Sequence, residues 1–203
     1  FAVITAQGEI TIFHDEAALA EVARDHINIK LADHLMPELQ TYQNQTVWID
    51  PAHCPYGIGD TLKKAGAKLL SNSGPITPMK AIKNPIEADG FRAAHRRDAV
   101  AMVRFLAWLD KATPNGKVTE MEAATTLQSF RRQVSGYLGD SFGTISAHGE
   151  HGAIVHYRAT DNTNAILSQN SLYLVDSGGQ YHDATTDITR TVLIGETPDD
   201  ATF

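Results

Sequence analysis

The sequence predicts an α+β chain built in two parts, and three observations carry that prediction. Short strand-like and helix-like runs alternate as far as Ser71. A small, polar stretch broken by two prolines, Ser71 to Pro78, follows them. Beyond it come two long helical patterns, and then β-branched residues and glycines continue to Ile194. The expected division is therefore 1–76, an α/β unit without a convincing beginning, and 77–203, a helix-then-strand unit.

Taken in order, Ala2–Thr5 and Ile10–Phe13 read as two strands around Gln7-Gly8. Glu16–Arg24 has helical periodicity with Asp15 placed to cap it, and Leu31–Tyr42 is a second helix candidate. Thr46–Asp50 is an apolar strand ended by Pro51. Tyr56–Lys64 reads as a helix with Gly66 just past its end, and Lys68–Ser71 as a short strand. Asn84 and Pro85 suit the N-cap and first position of a long helix, whose apolar face is expected at Ala99, Met102, Val103, Leu106 and Leu109. Pro114-Asn115-Gly116 turns the chain. Thr119 with Glu122 forms a capping-box pattern for a helix running to about Val134. Thr197-Pro198-Asp199-Asp200 resembles another helix start.

Composition narrows the function classes. The chain has 203 residues and a net charge of −7, from 17 basic and 24 acidic side chains, with no basic run. That argues against a general nucleic-acid surface. The single cysteine, Cys54, cannot form an internal disulfide and fits a reducing cytoplasm. No apolar stretch approaches the ~18 residues that would span a bilayer, and no signal peptide is evident. The first residue is Phe1 rather than Met, so a natural N-terminus is expected upstream.

Residues 172–194 (LYLVDSGGQYHDATTDITRTVLI) carry the most chemical information. An apolar run ending at Asp176, a Gly-rich turn and a β-branched run from Thr185 read as strand, turn, strand. If Gln180 pairs with Asp183, Asp176 faces Asp187. Directly opposed residues lie roughly 4.5–5.5 Å apart. Two bare carboxylates at that spacing repel, and a hard divalent cation between them removes the repulsion. The plainer alternative is that Asp favours turns, and Tyr181-His182 is a poor pair for a tight primed turn.

Other candidates have plainer readings. A lone His156 after the apolar run Ala153-Ile154-Val155 is by default a buried structural histidine. His148-Gly149-Glu150-His151 does not have the spacing of a helical zinc motif and reads as a solvated loop. His182 falls in the turn and is expected to be exposed. His95-Arg96-Arg97 reads as a solvated helix face, and Cys54, followed by Pro55, lacks a partner base. Thr189 and Thr191 share strand parity with Asp187 and could hydrogen-bond metal-binding carboxylates.

Asp176-Ser177-Gly178-Gly179-Gln180-Tyr181, followed by Thr185-Thr186-Asp187-Ile188-Thr189-Arg190-Thr191, resembles the first ligand hairpin of the pita-bread metallopeptidases, specifically the aminopeptidase P branch. Phe91–Val100 resembles the opening helix of that catalytic domain. Ser141–Ser146 and Gly152–Tyr157 resemble the strands before the hairpin. The resemblance is specific over roughly residues 80 to 203 and looser before that.

It implies a partial pita-bread domain, an antiparallel sheet with helices, preceded by the end of an α/β N-terminal-type domain. It implies two divalent metals, Mn foremost with Zn or Co as alternatives, with Asp176 binding one and Asp187 bridging both. It makes His156 a substrate-contacting histidine near the scissile bond, rather than a structural one. The implied activity is that of a cytoplasmic Xaa-Pro aminopeptidase, acting on peptides with proline at position two and able to dimerise as the full-length protein. The remaining ligands, a His and two Glu, are expected beyond residue 203, so 1–203 alone should be inactive, with an open sheet edge. Prolidase-type Xaa-Pro dipeptidases share the hairpin pattern, and some proteins of this fold are non-catalytic. Metal-free creatinase-like relatives are disfavoured because both carboxylates are present.

Overall fold

Strand pairing begins at the first residues: Ala2–Ile4 (β1) and Ile10–Phe13 (β2) pair antiparallel around the Gln7-Gly8 turn. The computed structural model describes residues 1–15, 17–19 and 26–196. Contacts divide the chain into two units, Phe1–Ile82 and Lys83–Phe203.

In the first unit Ile27–Lys30 (β3), not anticipated from sequence, pairs parallel with β2. The helix expected over Glu16–Arg24 falls largely outside the described residues; Ala17–Leu19 is a 3₁₀ turn whose Ala17 N–H donates to Asp15. The helix expected over Leu31–Tyr42 is reduced to Leu35–Leu39 (α1), after a 3₁₀ turn at Ala32–His34. Pro37 explains the late start. It lacks an N–H and fits only in a first turn, where amide donors have no intrahelical partner anyway. Thr46–Ile49 (β4), Tyr56–Lys64 (α2) and Lys68–Ser71 (β5) fall where the sequence placed them, with β4 and β5 parallel. Phe13, Leu35, Leu39 and Leu62 form this unit's buried core. Ile76–Ala81 (α3) closes it.

The second unit opens with Pro85–Ala112 (α4). The Asn84 side chain accepts from the Glu87 N–H at 2.9 Å, and the Glu87 carboxylate accepts from the Asn84 N–H at 2.9 Å. The buried stripe of α4 is Ala94, Asp98, Ala101, Met102, Phe105 and Leu109. The expected face was rotated by about one position: Val103 is 64% exposed and Ala99 is also exposed. An apolar count skips Asp98, which lies in the middle of the true stripe. Glu120–Arg131 (α5) starts at the predicted cap, where Thr119 accepts from the Glu122 N–H, but it stops three residues before Val134.

Five strands follow: Tyr137–Asp140 (β6), Ile145–His148 (β7), Ser171–Ser177 (β8), Gly179–Tyr181 (β9) and Ile188–Ile194 (β10). β10, β8 and β7 form an antiparallel sheet in that order, and β6 pairs with β9. One face of β8, Tyr173 and Val175, packs into the core with Phe105, Leu109 and Leu127 from the two helices. The alternation along the strand therefore puts Leu174 and Asp176 on the opposite face. Of the two strands expected before the hairpin, Ser141–Ser146 is realised only from Ile145, as the start of β7, and Gly152–Tyr157 is not a strand. Ser141–Thr144 is irregular, and Gly152–Tyr157 is the end of a 3₁₀ turn (Gly149–Ala153) followed by a tight turn with His156 at φ 58°.

Candidate metal centre

The hairpin differs from its predicted register by two residues. Thr189, not Asp187, faces Asp176, and Ile188 faces Ser177. The same alignment runs to the tip, where the Tyr181 N–H donates to the Ala184 carbonyl at 2.9 Å, so the two-residue turn is His182-Asp183. A shift of two keeps every side chain on its predicted face, so Asp176 and Asp187 become diagonal rather than direct neighbours.

They still meet. Asp176 is half-buried at the end of β8, and Asp187 is exposed just before β10. Burial, then the negative charge of Asp176 and a hydrogen bond shared with it, hold the Asp187 carboxyl above its ordinary range; the charge of His95 acts the other way. This is the signature of two carboxylates competing for one space. The Thr189 hydroxyl donates to Asp176 Oδ1 at 2.8 Å and orients that carboxylate. Thr191 sits opposite Leu174.

Sterics at the turn are exacting. At Gly178 a methyl group would run into the Thr186 carbonyl and the Ser141 hydroxyl. At Gly90 on α4 it would meet the Asp183 carbonyl at 2.5 Å. Helix and turn are tied further by the Arg97–Asp183 ion pair. The helix face read as solvated is thus engaged at Arg97. His95 is half-buried as well, with Nδ1 2.9 Å from the Phe91 carbonyl. His182 is exposed in the turn, as expected.

His156 is exposed, so the buried structural reading does not hold. Its neighbour Tyr157 packs with Ile145, Ala147 and Leu174, on the sheet face that carries Asp176. Among the described residues His156 makes no hydrogen bond to either carboxylate.

The segment 148–151 is not a loosely solvated loop, because buried Glu120 organises it. Glu120 Oε1 accepts from the His148 N–H at 2.7 Å and lies 2.8 Å from His151 Nδ1. Its Oε2 accepts from the Tyr157 hydroxyl at 2.9 Å and the Ala165 N–H at 3.0 Å. Burial alone would raise this carboxyl; the donors outweigh it and hold the group below its ordinary range. Glu120, Asp98, Arg131 and Thr186 are all wholly buried, and none of them has an individual role in the sequence reading, Asp98 and Thr186 entering it only within family-like stretches. A charged residue at a core position of a helix pattern is the signal that could have found Asp98.

Among the described residues no group of three or more His, Cys, Asp or Glu side chains could hold a metal ion. Asp176 and Asp187 nevertheless fit one as part of a ligand set: they are adjacent, oxygen-only donors whose mutual repulsion a divalent cation would relieve.

A helix-backed antiparallel sheet bearing two neighbouring carboxylates, preceded by an α/β unit, is an arrangement consistent with a metallopeptidase. This chain belongs to metallopeptidase family M24, whose model matches residues 89–202; residues 1–87 match the Creatinase/Prolidase N-terminal domain. Its fold is accordingly α+β, a partial pita-bread domain preceded by the end of that N-terminal-type domain. It is similar to Xaa-Pro aminopeptidase 2 of Sus scrofa, 41% identical over 82% of this chain and 25% of that protein. It is also similar to the probable Xaa-Pro aminopeptidase P of Laccaria bicolor, 38% identical over 98% of this chain and 32% of that protein. The chain thus spans about a fifth to a third of the curated relatives it matches. The solved X-prolyl aminopeptidase of Caenorhabditis elegans, described as a cytosolic enzyme with a di-nuclear active site, superposes with a TM-score of 0.82. It is 31% identical over 97% of this chain and 34% of that one. The prolidase of Pyrococcus furiosus, at 20% identity and a TM-score of 0.70 over 96% of this chain and 56% of that one, shares the fold.

Proposed function

We propose that the full-length protein is a metal-dependent aminopeptidase that releases the N-terminal residue from peptides with proline at position two. The observation that carries this reading is the meeting of Asp176 and Asp187 on one hairpin, with Thr189 holding Asp176. The relatives named above, Xaa-Pro aminopeptidases, support the substrate class.

When bound, a pair of divalent cations would activate a water for attack on the scissile carbonyl and polarise that carbonyl. The all-oxygen donors in view favour Mn, with Zn and Co as the alternatives. Asp176 and Asp187 would hold the ions, and a His and two Glu elsewhere in the full-length chain would complete the set. His156, exposed beside the sheet face that carries Asp176, would hold the peptide and stabilise charge developing near the scissile bond. Residues 1–76 and 77–203 are read as the end of an N-terminal domain and the first half of a catalytic domain, while the contact-defined units Phe1–Ile82 and Lys83–Phe203 meet at 82/83. A cytoplasmic setting is supported by likeness to the cytosolic nematode enzyme. No helix among the described residues is long and apolar enough to cross a membrane.

The test is Asp187→Ala in the full-length protein, assayed with Mn on an Xaa-Pro-Xaa tripeptide. Turnover should be lost; unchanged turnover would sink the assignment. Comparing that tripeptide with an Xaa-Pro dipeptide separates aminopeptidase from prolidase.

A further inference from the structure

We propose that Thr186, anchored to the buried Asp98–Arg131 pair, is a positioning residue that sets Asp187 for metal binding. This rests on the metal reading of the hairpin and adds to it a part of the molecule outside the ligand set.

Asp98, on α4, has no exposure and accepts four hydrogen bonds. Its Oδ1 takes Arg131 Nε at 2.8 Å and the Tyr181 hydroxyl at 2.8 Å. Its Oδ2 takes Arg131 Nη2 at 3.1 Å and the Thr186 hydroxyl at 2.9 Å. One carboxylate thus ties α5 and both arms of the hairpin to α4. Burial would raise Asp98, but the bonds and charge of Arg131, with Tyr181 and Thr186, hold it below its ordinary range, so it stays charged and accepting.

Thr186 has no slack. Its hydroxyl donates to Asp98 and accepts from the Gly179 N–H at 2.8 Å. Its own N–H donates to the Gly179 carbonyl at 2.9 Å, and its carbonyl accepts from the Ser141 hydroxyl at 2.9 Å. It is the last such residue before Asp187. Just past the end of the β8–β10 ladder is Gly178, whose missing side chain allows the Thr186 carbonyl to approach closely.

A buried ion pair is weak support for stability, since apolar residues of the same volume often serve as well. It does fix geometry. The two carboxylates of the hairpin repel, so without a rigid anchor the Asp187 arm would relax away from Asp176. The anchor lies on the helix-facing side of the hairpin and the carboxylates on its other side, so the clamp works without occupying the site.

The experiment is Mn(II) titration of the full-length protein, followed by calorimetry and by the electron paramagnetic resonance signal of free Mn. Thr186→Val keeps the shape and removes the hydroxyl. It should weaken Mn affinity by about tenfold or more, in line with other changes to groups behind metal ligands. Thr186→Ser should restore affinity to within about threefold of wild type. Leu62→Ala, in the buried core of the first unit, should lower Tm and leave affinity unchanged. Wild-type affinity in Thr186→Val, or an equal loss in Leu62→Ala, overturns the proposal. If Thr186→Val fails to fold, Tyr181→Phe, which removes a different donor to Asp98, takes its place; wild-type Mn affinity there also overturns it. Asp187→Ala separates the two levels. If it leaves Mn affinity intact, the metal reading itself fails. If it abolishes binding while Thr186→Val does not weaken it, only the positioning role fails.

Discussion

Asp98 and Glu120 are both wholly buried carboxylates, yet they are satisfied by different means. Asp98 is matched by a guanidinium, whereas Glu120 takes two backbone N–H groups, a tyrosine hydroxyl and a histidine ring. Glu120→Gln presents an amide N–H₂ where an acceptor is needed, leaving at least one buried donor unpaired. The expected cost is roughly 1–3 kcal/mol. The pH dependence follows from the lowered carboxyl. Its stabilisation is present above the unfolded value of about 4.3 and is lost as pH falls through the lower folded value. Urea melts of the full-length protein from neutral pH into the acid range should show Glu120→Gln with a shallower loss of stability below about pH 4 than wild type. Parallel acid limbs would refute the assignment. Nothing in the sequence marked Glu120, because it follows a capping threonine, where an acidic residue is expected for the helix dipole alone.

At the scale of elements, α4 shows what local chemistry can and cannot decide. Asn84, Pro85 and Glu87 specify its start without outside help, and that start was readable. Its buried face was not, because the face is chosen by what packs against it, including Arg131 and the hairpin tip. The hairpin makes the same point. Its arms and facial alternation were clear, but the turn is His182-Asp183, held against Gly90 and Arg97 of α4. A register two residues away keeps all faces, so only the tertiary contact selects between them. A paired prediction separates element stability from site geometry in the full-length protein. Asn84→Ala removes a cap and should cost about 1 kcal/mol while leaving Mn affinity unchanged. Gly178→Ala forces a methyl into the Thr186 carbonyl and should cost roughly 1–3 kcal/mol and weaken Mn binding as well. Thermal melts with parallel Mn titrations check both.

For the molecule as a whole, length relative to its relatives matters most. The chain spans about a fifth to a third of the curated proteins it matches, and no group of three or more His, Cys, Asp or Glu among its described residues could hold a metal ion. Within the described residues, β7 and β10 are the outer strands of their sheet. Residues 1–203 produced alone should therefore show no turnover of an Xaa-Pro-Xaa peptide with Mn and bind Mn more weakly than the full-length protein. The exposed strand edges should also promote self-association. Mn titration, peptide assay and sedimentation would check all three; a stable, active monomer of 1–203 would remove the view of it as part of a larger site.

The chain's own order of residues determined the α+β class, the caps and turns of its helices, the hairpin and the face parity of Asp176, Asp187 and Thr189. Those features depend on neighbours a few positions away, which a sequence displays directly. Tertiary structure alone decided the hairpin register, the buried face of α4, the exposed turn at His156 and the two buried carboxylate networks. Each of these is an agreement between groups far apart in the chain: Asp98 meets Thr186 across 88 positions. A buried charge is tolerable only where such distant partners converge, and that convergence is what carries the hairpin's two aspartates into one place.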